Sequence, residues 1–211
     1  MGSNPTRCTK KTALLCGFFV VFSILFCYTR AMKIAMIGQK GPVLNEYAGG
    51  IERHVVEITK RLIENGHAVT IYSRSKYVDN NHDDALFHIK IIPTIYNKYL
   101  ETIVYTFFAT LHALFQNYDI IHYHGVGPAT LAWIPRLFAR RAKIIITFHS
   151  LDRMHEKWGI AAKLFLYFGE FAAVFFSHYC LVTSVALKKY IQNHYGVEAV
   201  YIPNGATIKI G

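Results

Sequence analysis

Short apolar runs alternate along this chain with longer segments whose apolar residues return every third or fourth position. The first run, residues 33–38, ends in glycine and has the form of a strand buried on both faces. A loop carrying Gly41, Pro42, Gly49 and Gly50 follows. Ile51, Val55, Ile58, Leu62 and Ile63 then recur at helical spacing, and Asn65-Gly66 supplies the stop. Residues 67–72 form the next apolar run. Further along, the pattern predicts strands over 86–92, 119–124, 143–149, 179–183 and 198–202. It predicts helices over 99–117, 128–140, from about 159 to 176, and 184–195, the last capped by Ser184 and closed by Gly196. Alternating strands and helices predict an α/β fold, a Rossmann-like doubly wound parallel sheet with right-handed crossovers.

Ligands of such sheets bind outside the carboxyl ends of the strands. Polar residues gather at those ends: the glycine loop, His124-Gly125, His149-Ser150, Thr183-Ser184 and Pro203-Asn204-Gly205. Gly49 and Gly50 stand at a helix N-terminus, where backbone N–H groups suit an anion such as a phosphate. His122 and His124 share one sheet face while both remain in the strand. His122 reads as a hydrogen-bonded core residue, and His124 and His149 stand evenly between site and structure. Asp152 serves either the site or a local turn. Glu52 and Arg53, in the first turn of their helix, read as a solvated face. A zinc site from His122, His124 and His149 lacks an acid or cysteine at a typical spacing, so no metal is expected. A nicotinamide clamp wants G-x-G-x-x-G at the first turn. Here the glycines are too far apart, although Arg74 after the second strand could meet a 2′-phosphate.

Residues 1–31 have another character. Arg7, Lys10, Lys11 and Arg30 are their only charges, and residues 12–29 (TALLCGFFVVFSILFCYT) are apolar. At helical rise this run reaches about 27 Å, enough for a thin bilayer. It reads as a signal anchor, a cleaved signal peptide, or the product of a misplaced start with Met32 as initiator. Residues 32–205 form about one domain, and 206–211 enter a further one. Cys8, Cys16 and Cys27 lie in the leader and only Cys180 in the domain, so no disulfide framework is expected.

The net charge of +10 includes +4 from the leader, leaving 19 basic against 13 acidic residues in the domain. Such a balance favours anionic lipid or a phosphorylated substrate. The basic residues are scattered except for Arg136, Arg140, Arg141 and Lys143, and no nucleic-acid motif appears, so nucleic acid is excluded as partner. Residues 99–115 and 160–176 are unusually apolar helices. They are short for a bilayer and are expected to pack on the sheet and graze a membrane surface.

The segments GGIERHV (49–55), DIIHYHG (119–125), TFHSLDRMHEKWG (147–159), SVALKKYIQNHYG (184–196) and IPNGA (202–206) together resemble the N-terminal half of GT-B glycosyltransferases of family 4. The third is similar to T-x-H-x-L-D-x-x-R-x-K-W-G in bacterial rhamnosyl and other polysaccharide-assembling members. The resemblance covers about residues 32–206. It implies retaining, metal-independent transfer of a hexosyl group from a nucleoside-diphosphate sugar to a glycan or lipid-linked acceptor, with no cofactor besides that donor. It places Gly49 and Gly50 near donor phosphates and acceptor, His124 near the reacting sugar, His149 and Asp152 on the acceptor side, and Asn204 among the substrate contacts. His155 stands where relatives often carry arginine. The basic residues and the E-x₇-E pair that hold the donor in relatives have no counterpart. The 211-residue chain alone is therefore expected to turn over little donor. An alternative is a membrane-anchored acceptor-binding subunit completed by a separate donor-binding partner. Either way the expected location is the cytoplasmic face of the cell membrane.

Overall fold

The computed structural model describes residues 30–42, 49–78, 88–95, 97, 100–139, 141–154 and 159–204. Seven parallel strands form one sheet in the order β3-β2-β1-β4-β5-β6-β7. They are β1 (Lys33–Ile37), β2 (Ala68–Arg74), β3 (His88–Ile92), β4 (Ile120–His124), β5 (Lys143–Phe148), β6 (Tyr179–Val182) and β7 (Val200–Tyr201). The order grows outward in both directions from the β1–β4 pair, which is the doubly wound arrangement the alternating pattern predicts. The proposed leader and anchor (residues 1–29), the entry to a further domain (206–211) and the His155 position lie outside the described residues.

Helix α1 (Gly50–Glu64) covers one face of the sheet, where Val55 and Leu62 pack with Ile34, Met36, Val69 and Ile71. The other face carries α2 (Glu101–Leu114), α3 (Val126–Ala129), α4 (Trp133–Phe138), α5 (Ile160–Phe175) and α6 (Val185–Tyr195). Tyr105, Ala109, Val126, Ala129, Leu166, Ala173 and Ile191 from these elements pack onto Ile37, Tyr123, Ile146 and Val182. The central strands are apolar on both sides because helices cover both sides. Cys180 is buried there and its thiol is pushed up to about 12 by desolvation.

The helix expected over 128–140 is two short helices with a turn at Thr130–Ala132. Pro128 and Pro135 lack the N–H that a continuous helix needs. The intervening groups instead bond three residues back: Leu131 N–H to the Pro128 carbonyl (3.2 Å), Ala132 to Ala129 (3.0 Å) and Ile134 to Leu131 (3.0 Å). The terminal strand is also shorter than expected, only Val200–Tyr201. By contrast α6 ends as its sequence predicts: Leu187 N–H donates to Ser184 Oγ at 3.2 Å, and Gly196 is left-handed at φ 67°.

A buried ionic network ties the loop after β5 to α5 and α6. Glu170 is fully buried, and it accepts from Arg153 Nε (2.8 Å), the Tyr190 hydroxyl (2.9 Å) and the Tyr195 hydroxyl (3.0 Å). Arg153 also donates to Tyr190 and lies over the rings of Tyr167 and Tyr190. Replacing one partner of such a network strands a buried charge. Glu170→Ala is expected to lose about 3–5 kcal/mol in denaturant unfolding, whereas Lys188→Ala, which breaks the exposed pair with Glu198, is expected to lose under about 1 kcal/mol.

Gly169 shows where packing overrides helix propensity. An added Cβ would lie 2.5 Å from the Val126 carbonyl oxygen of α3, a backbone atom that cannot swing away. Propensity favours Ala over Gly in a helix interior by about 1 kcal/mol. Gly169→Ala is nevertheless expected to destabilise by roughly 1–3 kcal/mol through overpacking, and a rise in unfolding midpoint would contradict the α3–α5 contact.

Candidate functional site

The β1–β4–β5 edge brings together residues that are far apart in sequence. Met36 pairs with His122, and His124 pairs with Thr147, in the parallel register. His124 therefore ends β4 beside the ends of β1 and β5, and His149 follows β5 by one residue. The chain leaves β1 through Gly38, whose φ is +122°. A Cβ there would lie 2.5 Å from the His124 carbonyl oxygen and 2.9 Å from Pro128 Cγ, so both the conformation and the space require glycine.

Three imidazoles converge above this edge. The rings of His54 and His149 lie 4.9 Å apart, those of His54 and His124 5.8 Å, and those of His124 and His149 5.7 Å. His124 Nδ1 and His149 Nε2 are 3.4 Å apart, which requires one protonated and one bare nitrogen between them. His124 Nε2 faces Met36 Sδ at 3.4 Å. Asn204, three residues beyond β7, lies beside His54 and weakly favours its protonated form. His122 packs under His124 at 4.1 Å and its Nε2 pairs with Thr147 Oγ1 at 2.8 Å, as a core histidine would.

Desolvation dominates the charge state of this group. Burial holds His54 at about 4 against a weaker opposing bond from Asn204. Burial, then repulsion from neighbouring imidazoles, holds His122 and His149 at about 3. His124 is lowered well below 6.5 by burial first, then by His122, His149 and His54. All four are neutral at pH 7. The result is a half-enclosed nest of uncharged groups that each donate and accept, suited to hydroxyl-rich or phosphorylated ligands.

The glycine loop is occupied differently from expectation. Glu52 is buried rather than solvated. Its carboxylate accepts from Gly49 N–H at 2.8 Å and from Lys40 N–H at 3.1 Å. The spacing from Gly49 at the helix start to Glu52 is that of a capping box, the signal by which this role was legible. A carboxylate thus already takes part of the N–H field at the start of α1. A Cβ at Gly49 would meet Glu52 Oε2 at 2.9 Å, but at Gly50 it would meet nothing within 4 Å, so Gly50 borders open space. His54 is the contributor that strand-end reasoning overlooked. It lies one turn after Gly50, so helical spacing puts it on the glycine's side of α1.

Asp152 sits in a short turn after β5 and accepts from the Ser150 hydroxyl at 2.6 Å, a local bond that shapes the loop. Arg74 does not face a cofactor phosphate. It is buried, donates to the Gly38 carbonyl at 3.2 Å, pairs with Glu101 at 3.4 Å and lies over the Tyr105 ring. Among the described residues, the histidine trio able to approach a metal is His54, His124 and His149, with one nitrogen from each within 4.8 Å of the others. His122 is turned to Thr147 and does not join it. Ligands around tetrahedral zinc sit about 3.3 Å apart, so the His124–His149 pair fits, while the trio must still contract and contains no acid or thiolate.

A parallel sheet with its histidine cluster at the carboxyl ends of the strands defines this chain as a Rossmann-like α/β domain. Residues 48–209 match the family model described as Glycosyltransferase Family 4, and the chain belongs to that family. The fold is similar to sucrose-phosphate synthase from Thermosynechococcus elongatus. The two share 20% identity at a TM-score of 0.63 over 83% of this chain and 49% of that one. It is also similar to Anabaena HepE, solved in complex with UDP and glucose, with 15% identity and a TM-score of 0.54 over 84% of this chain and 45% of that one. The chain thus spans about half the length of these GT-B-type structures. No curated protein matches it significantly.

Neutral buried imidazoles make the fold acid-sensitive. Their pKa values rise on unfolding from about 3–4 toward 6.5, so below pH 6.5 the unfolded chain binds protons that the folded chain refuses. Stability is expected to be flat from pH 8 to about 6.5. Between about 6.5 and 4 it should then fall by roughly 1 kcal/mol per pH unit for each such histidine. Urea midpoints measured across this range check the sign. A triple His54→Gln, His122→Gln, His149→Gln variant should lose most of the slope.

Proposed function

We propose that this chain forms the acceptor-side half of a family 4 glycosyltransferase. Such an enzyme moves a hexosyl group from a nucleoside-diphosphate sugar to a glycan or lipid-linked acceptor, as in bacterial rhamnosyl and polysaccharide-assembling members. The observation that carries the reading is the nest of His54, His124, His149 and Asn204 at the carboxyl ends of the strands, in a chain of this family. In the reaction the bond from the anomeric carbon to the diphosphate oxygen breaks. A bond from that carbon to an acceptor hydroxyl oxygen forms on the same face of the ring, and the hydroxyl proton departs with the nucleoside diphosphate.

His124, the most buried of the three clustered imidazoles, serves as a neutral donor or acceptor to a hydroxyl of the transferring sugar. His149 and the loop held by Asp152 border the acceptor. Gly49 and Gly50 let the ligand approach the start of α1, with Gly50 the open side. Because Glu52 already sits against that helix start, the leaving diphosphate is neutralised chiefly by positive groups of a donor-binding half rather than by this wall. Transfer without a metal fits this division, since the imidazoles act through hydrogen bonds to uncharged hydroxyls.

Isothermal titration of the full chain with UDP-, GDP- and dTDP-hexoses tests the reading. At least one is expected to bind saturably but weakly, because its sugar meets this wall while its diphosphate is met by the donor-binding half. His124→Ala is expected to weaken it about tenfold, the loss of one or two buried hydrogen bonds. His88→Ala, at the other end of the sheet on edge strand β3, should leave it unchanged. Binding by none of the three, or equal effects of both substitutions, would overturn the proposal.

A further inference from the structure

The two faces of the sheet are finished in opposite ways. On α1 the exposed side chains beyond Gly50 are Arg53, Glu57, Arg61 and Glu64, all charged, with Glu57 paired to Arg61 at 2.9 Å. On α5 the exposed positions include Ile160, Leu164, Tyr167, Phe168, Phe171 and Phe175, a second apolar stripe at helical spacing turned away from the core. The rings of Phe171 and Phe175 lie tilted 4.5 Å apart and those of Phe168 and Phe171 stack at 6.5 Å, so the three rings run on along the stripe. On α2 the exposed residues are likewise Phe107, Phe108 and Leu111, continued by Phe115 at 75% exposure just beyond it. Leu137 and Phe138 on α4 extend the same face. A helix that is apolar all round is covered by something.

The charges on this face say what covers it. The only acids on α2, α4 and α5 are Glu101 and Glu170, and both are turned inward and paired, to Arg74 and Arg153. The exposed charged side chains on these helices are Arg136 and Lys163, both cationic. Exposed Arg141 adds a third beside a groove of about 310 Å³ lined by Leu114, Asn117, Tyr118, Phe138 and Ala139. A twofold contact of this face with a second copy would set these cations against one another with no exposed acid among the described residues of α2, α4 and α5 to offset them. An anionic bilayer surface offers both apolar depth and negative charge. Lys33, where β1 starts, lies at the same edge: its N–H bonds the side chain of Asp119, next to groove residue Tyr118, and the apolar run 12–29 precedes it closely in sequence.

We propose that the α2–α4–α5 face lies in the interface of an anionic lipid bilayer, with the aromatic residues of α5 and α2 among the acyl chains and Arg136, Arg141 and Lys163 at the headgroups. This surface is distinct from the strand-end nest, so it stands or falls independently of the transfer reading. The open β1–β4–β5 edge then faces along the membrane rather than into it.

Photocrosslinking tests it on the full chain, bound to vesicles of phosphatidylcholine with phosphatidylglycerol. The benzophenone amino acid p-benzoylphenylalanine is placed at position 171 on α5 or, as a control, at position 64 on α1, and adducts are read by mass spectrometry. Both positions are equally tethered if residues 12–29 insert, so only face-specific docking separates them. Lipid adducts at 171 exceeding those at 64 at least several-fold are expected. With Arg136→Gln or Lys163→Gln the yield at 171 should fall roughly fivefold per removed charge, as for about 1 kcal/mol each. Equal yields at both positions, adducts from 171 to a second copy, or adducts from 171 to the peptide 12–29 would each overturn the proposal.

Discussion

The site depends on one close approach. Gly38 leaves β1 with a positive φ, against the His124 carbonyl and Pro128, and no side chain fits between them. That contact seats the end of β1 against the end of β4 and lets α3 begin directly behind His124. The buried network around it holds the crossing rigid. Arg74 and the Tyr105 hydroxyl bond the two sides of Gly38, Tyr105 donates to the Tyr72 carbonyl at 2.6 Å, and Gln39 Nε2 donates to the carbonyls of Met36 and Tyr72 at 3.0 Å. The charged groups beside the glycine loop, Arg74 and Glu52, are spent on structure: Arg74 on the Gly38 carbonyl and Glu101, and Glu52 on the backbone N–H groups of Gly49 and Lys40.

What remains facing the cleft is mostly uncharged. Burial of four histidines in one corner disfavours every protonated state, because each would sit in low dielectric beside other imidazoles. Under the proposed function, the wall recognises its ligand through hydrogen-bond direction rather than through charge. This agrees with a division of labour in which the sugar and acceptor meet this half and the diphosphate charge is met elsewhere.

The doubly wound parallel sheet, its central strands and α6 with its Ser184 and Gly196 caps were legible because local signals and burial agree there. The broken helix after β4 was not, because its apolar spacing runs on through Pro128 and Pro135 while the missing N–H groups break the bonding. Glu52 reads as solvated from its place in the first turn, although its capping-box spacing from Gly49 signals the inward role that the fold shows. Arg74 carries no local signal of its pairing with Glu101, which comes from an element 27 residues away. His54 was hidden in a helical motif, while His124, His149 and Asn204 stood out at strand ends.

The claim that His54, His124 and His149 form a neutral ligand-binding wall is tested most directly by ring ¹⁵N NMR of the histidines at pH 7, without and with the nucleotide sugar that binds. The account predicts that these three show neutral-tautomer shifts and that their resonances move on ligand addition, while those of His88 and His178 stay in place. Protonated shifts for the three at pH 7, or ligand-induced changes confined to other histidines, would contradict it.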